Sequence, residues 1–156
     1  MEQFVTFETA NLLKENGFDG RCYKVWEKHD NGEPNLVAAA AFVEGEPTAT
    51  KDSVDDAAAY MANYYSVNNK VEGFLAPTQA AAMRWLRDEK EIAIVIKPYP
   101  NEDGFAYAYE IKRLIGKDDF TIRKVWNVES RAGYCTYEDA CEGAIKYCLK
   151  ELIDKI

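Results

Sequence analysis

Apolar residues recur at helical spacing in four stretches of the chain, and between those stretches they alternate with polar residues or run on without a break. Each period predicts its own element. Thr6 opens the first helical stretch, which reaches about Asn16 with Phe7, Ala10 and Leu13 on one stripe, and Gly17 is placed to end it in a left-handed conformation. Cys22 to Lys28 alternates as a strand does, His29 to Pro34 carries turn chemistry, and Leu36 to Val43 is a continuous apolar run expected to form a second strand. A second helix is expected from Ser53, and Ser66 to Pro77, with Asn68, Asn69 and Gly73, reads as a joint. Thr78 caps a third helix that runs to about Lys90 with Ala82, Trp85 and Leu86 inward. Ile92 to Lys97 is an alternating strand expected to stop at Pro98-Tyr99-Pro100. Phe105 to Leu114 and Asp119 to Val128 form a predicted hairpin turning at Gly116-Lys117, and Thr136 opens the last helix.

Two of these helix starts echo one another. Ser53-Val54-Asp55-Asp56-Ala57-Ala58 aligns with Thr136-Tyr137-Glu138-Asp139-Ala140-Cys141, each with a hydroxyl cap and an acid three residues on. The apolar positions Val54, Ala57, Ala58, Met61, Tyr64 and Tyr65 keep the register of Tyr137, Ala140, Cys141, Ala144, Tyr147 and Cys148. The echo predicts an α+β protein of two related halves, α-β-β-α over 1–70 and α-β-β-β-α over 71–156, with antiparallel sheet packed against helices. The halves are expected to share one compact domain.

Length and charge narrow the classes. A chain of 156 residues buries roughly 68–70% of its unfolded surface without disulfide or metal staples. Its 27 acidic and 19 basic residues give a net charge of −8, which repels phosphate backbones and anionic headgroups, so neither nucleic acid nor a membrane is an expected partner. No apolar run reaches the roughly 18 residues of a membrane span, and Met1-Glu2-Gln3-Phe4 lacks the basic start of a signal peptide. The expected location is the cytoplasm. Cys22, Cys135, Cys141 and Cys148 show no C-x-x-C spacing and are expected to be reduced.

The supply of catalytic groups is thin. His29 is the single histidine, too little for a His-based zinc site or a Ser-His-Asp triad, and no metal site or cofactor is expected. Neither G-x-x-x-x-G-K-[ST] nor G-x-G-x-x-G occurs. The acids Asp55, Asp56, Glu138 and Asp139 fall in first helical turns, where they complement the helix dipole, while Glu44 with Glu46, Glu102 with Asp103 and Asp118 with Asp119 fall in turns. Cys135 directly precedes the Thr136 cap, where helix amides favour a thiolate. A small enzyme using Cys135 or a pair of turn carboxylates is therefore the alternative to a binding protein, and no catalytic residue is assigned.

The sheet faces point to binding. In the predicted hairpin register Tyr107 pairs with Trp126 and Ile111 with Ile122, so Phe105, Tyr107, Tyr109 and Ile111 make a packing face. Ala106, Ala108, Glu110 and Lys112 then share the second face with Thr121, Arg123 and Val125, with Glu110 opposite Arg123, and Ala93 and Val95 extend it. A solvated sheet face is normally polar. The candidate binding residues are thus Ala93, Val95, Ala106, Ala108, Glu110, Arg123 and Val125, covered by the other half, by a second copy of the chain, or by a protein or small-molecule ligand.

Three segments carry a family resemblance. Ala76-Pro77-Thr78 followed by Met83-Arg84-Trp85-Leu86-Arg87-Asp88 and Ile92 resembles the "APT…WLRE…I" signature of small uncharacterised proteins encoded by gut Bacteroidota and their phages. The N-terminal Phe4-Val5-Thr6-Phe7-Glu8 with Leu12 to Asp19, and Tyr137 to Leu149 with Leu152-Ile153, are similar to that group's terminal helices. Where the group continues the WLR motif towards histidine, this chain has Glu89-Lys90-Glu91, so no histidine role carries over. The resemblance implies a phage or mobile-element origin and a bacterial cytoplasm.

Overall fold

A computed structural model describes residues 3–38, 71–102, 104–118, 121–129 and 133–153. The chain divides into two units, Glu2–Thr78 and Gln79–Ile156. The expected helix from Ser53, the apolar run from Ala39 onward and hence one partner of the sequence echo lie outside the described residues.

In the first unit, α1 (Phe7–Glu15) is followed by β1 (Lys24–His29), β2 (Asn35–Ala38) and β3 (Val71–Leu75), which form an antiparallel sheet of order β2-β1-β3. Thr6 caps α1 by accepting the Thr9 N–H at 3.3 Å, satisfying one of the donors a helix start leaves open. At the other end Gly17 sits at φ +84. Its N–H donates to Lys14 O and the Phe18 N–H donates to Leu13 O, the paired bonds of a Schellman stop. The stripe read from the sequence is the buried one at Ala10 and Leu13, joined by Thr9. Val25, in the middle strand between Val37 and Leu75, is wholly buried. Phe7 packs on Phe74 with ring centroids 5.1 Å apart, and the Trp26 indole N–H is satisfied by Val5 O at 2.8 Å.

The pairings of the first unit reach past the expected boundary at 70/71. Residues 71–75, read as part of a joint, form β3, whose Trp26↔Phe74 and Glu27↔Gly73 register ties it to β1. Glycine and acid weaken a strand signal, but the ladder against β1 supplies hydrogen bonds that local propensity does not foretell. The division therefore falls between Thr78 and Gln79.

In the second unit, α2 (Gln79–Lys90) leads into β4 (Ile92–Asn101), β5 (Gly104–Asp118) and β6 (Thr121–Glu129), an antiparallel sheet of order β4-β5-β6, and α3 (Tyr137–Tyr147) closes it with a π-helical turn over Cys148–Leu152. Ala82, Trp85 and Leu86 are buried as expected. Thr136 caps α3 by accepting the Asp139 N–H at 3.0 Å. Gln79 is buried and its Nε2 donates to Glu138 O at 3.0 Å and to Glu142 Oε2 at 3.1 Å, fixing the start of α2 to the first turns of α3. The fold class is α+β. The two sheets differ in strand order, so the expected duplication is not seen in their connectivity.

Two strand boundaries differ from expectation. β4 continues through Pro98 and Pro100, and among the described residues it is an edge strand. Proline lacks only the N–H, and residues two apart direct their nitrogens to the same side, so both prolines fit with those nitrogens turned outward. β5 likewise runs through Gly116 and Lys117 to Asp118, where it pairs with Thr121. Gly116 had suggested a turn, but turning later keeps the flanking residues in the ladder. The register slips accordingly: Ile111 faces Val128 and Glu110 faces Glu129, while Tyr107 bridges Tyr134 instead of pairing with Trp126.

Candidate functional site

The β4–β5 ladder decides what lies on each face of the second sheet. Ile92, Ile94 and Ile96 share a face with Ile111, Tyr109 and Tyr107. This face meets α3: Tyr109 lies 6.1 Å from Tyr147 and Tyr107 lies 6.4 Å from Tyr137, centroid to centroid. Ile92, Ile111 and Tyr109 are buried, but Phe105, expected to join them, is 63% exposed at the hairpin end. Burial is the main reason the Tyr109 phenol is pushed up to about 12, with the Tyr134 and Tyr147 hydroxyls adding to it. It therefore stays neutral at physiological pH.

The opposite face carries Ala93, Val95, Lys97 and Tyr99 from β4, set against Lys112, Glu110, Ala108 and Ala106 from β5. Five of the seven sequence-predicted binding residues are brought together here. Val95 is 43% exposed opposite Glu110, which is 6% exposed; Ala108 is 3% exposed opposite Lys97; Ala93 and Ala106 are half-buried. On β6, Val125 has Leu114 as its Cα partner, and Arg123 is not opposite Glu110. The predicted Glu110–Arg123 pair is corrected by the register slip, which puts Glu129 across from Glu110.

Glu110 takes its cations from elsewhere. Lys97 Nζ binds Glu110 Oε2, and Lys112 Nζ lies 3.1 Å from Oε1. Lys97 stands two residue pairs away diagonally across the ladder, and Lys112 is two residues along the same strand, so the strand period delivers both to one side. The Lys97 hydrogen bond, followed by that of Lys112, holds the Glu110 carboxyl below its ordinary range. Glu110 is thus an ionised carboxylate at neutral pH, suited to ion pairing and unsuited to donating a proton.

Sequence reasoning missed Lys97 and Tyr99 as members of this face. The signal was present, since alternation from Ala93 and Val95 continues to Lys97 and Tyr99: Lys97 lay inside the expected strand but was passed over because only its apolar residues were counted, and Tyr99 was cut off by reading Pro98 as the strand's end. Tyr99 is 43% exposed. Together with Val95 it brackets Lys97 on the outer side of β4.

Of the groups considered for catalysis, Glu44, Glu46, Asp103 and Asp119 lie outside the described residues. Cys135 is exposed just before the Thr136 cap. Cys141 is buried in α3, and burial pushes its thiol up to about 11 despite a hydrogen bond with Tyr137. His29 ends β1, its imidazole exposed and its Nε2 3.7 Å from Glu27 Oε1. Among the described residues no three His, Cys, Asp or Glu side chains are grouped to hold a metal ion, and no helix is long and apolar enough to cross a membrane. No family model, curated protein or solved structure matches the chain.

Proposed function

We propose that the protein is a non-catalytic binding or assembly module that engages a host protein or a small molecule through the outer face of β4 and β5. One observation carries the reading: Val95 and Tyr99, each 43% exposed, stand on the sheet face turned away from α3 and on either side of Lys97. Exposing an aromatic ring and a branched aliphatic side chain so close together on one strand leaves apolar surface available for burial by a partner. The Lys97–Glu110–Lys112 cluster beside them adds directional polar contacts, the combination typical of a recognition surface. The prolines support a mode of binding by side chains, since Pro98 and Pro100 remove two backbone donors from the outer edge of β4 and oppose the addition of another strand. The resemblance to Bacteroidota and phage proteins supports a mobile-element origin and action in the bacterial cytoplasm.

The test is native mass spectrometry of the protein purified from its natural host, run beside a Val95→Ser/Tyr99→Ser variant. The parent is expected to retain a defined ligand, partner or second copy that the variant loses, with thermal melting changed little because both positions are exposed. A species retained equally by both proteins moves the site elsewhere. Turnover of a ligand by the parent overturns the non-catalytic reading.

A further inference from the structure

No further inference is drawn: the strongest candidate, the outer face of β4 with exposed Val95 and Tyr99 beside the Lys97–Glu110–Lys112 cluster, belongs to the site already described, and nothing in the structure shows what covers it.

Discussion

Tyr134 lies so close to Gly143 that a methyl carbon built on the glycine would stand 2.7 Å from the Tyr134 Cζ, and nearer still to its Oη. The ring is held there by its backbone. Tyr107 N–H donates to Tyr134 O at 2.8 Å, and Tyr134 N–H returns a bond to Tyr107 O at 3.2 Å, fastening the segment before α3 to β5. Tyr109 flanks the ring at 6.0 Å. The missing side chain in α3 is what admits the ring, and the requirement is space, since Gly143 has an ordinary helical conformation.

Gly143→Ala sets two effects against each other. Alanine gains about 1 kcal/mol of helix propensity over glycine, whereas overpacking against a rigid ring costs about 1–3 kcal/mol. The clash is expected to win, lowering stability by about 1 kcal/mol in urea denaturation. In a Tyr134→Ala background the same substitution is expected to stabilise. A stabilising effect in the parent would mean that the ring is not where it is described.

Glu110 should make stability depend on pH. Its carboxyl is held below its unfolded value, so its contribution is present above the unfolded pKa and is lost as pH falls through the folded one. Glu110→Gln removes the charge at every pH. The stability gap between parent and variant is therefore expected to be widest near neutrality and to close on acidification. A gap that stays constant from neutral pH down through the carboxylate range would show that the lysine contacts do not favour the ionised form.

Glu91 links α2 to β4 in a left-handed conformation, φ 58. A side chain there costs about 1–2 kcal/mol, part of which glycine would give back in unfolded-chain entropy. Glu91→Gly is expected to raise stability by about 0.5–1 kcal/mol, and Glu91→Val to lower it. Equal denaturation midpoints for all three proteins would remove the strain from the account.

The thiols should separate by burial. Cys135 is exposed while Cys22, Cys141 and Cys148 are buried, so brief alkylation of the native protein near pH 7 is expected to modify Cys135 first. Cys141, with its thiol pushed up to about 11, should react only when α3 opens. Peptide mapping checks the order, and equal labelling of Cys135 and Cys141 would contradict the packing of α3.

The helix ends were determined by the sequence itself. The Thr6 cap, the Gly17 stop and the Thr136 cap are made between residues only a few positions apart, so local chemistry is sufficient. The buried stripe Ala82, Trp85 and Leu86 was legible for a similar reason, because helical geometry fixes which residues share a side. Strand period did the same for the site, grouping Ala93, Val95, Ala106, Ala108 and Glu110 on one face of β4 and β5. Pairing was left to the tertiary structure. Period 2 specifies a face but not an offset along the neighbouring strand, so Glu110 could move from Arg123 to Glu129, six residues along β6, without leaving its face. Only the assembled sheet made β4 an edge that accepts Pro98 and Pro100, and thereby carried Tyr99 onto the face with Val95. Only pairing with β1 made a strand of residues 71–75. Caps and stripes are settled within a helical turn or two, whereas register, edges and ion partners depend on which distant ladder satisfies the most backbone groups at once.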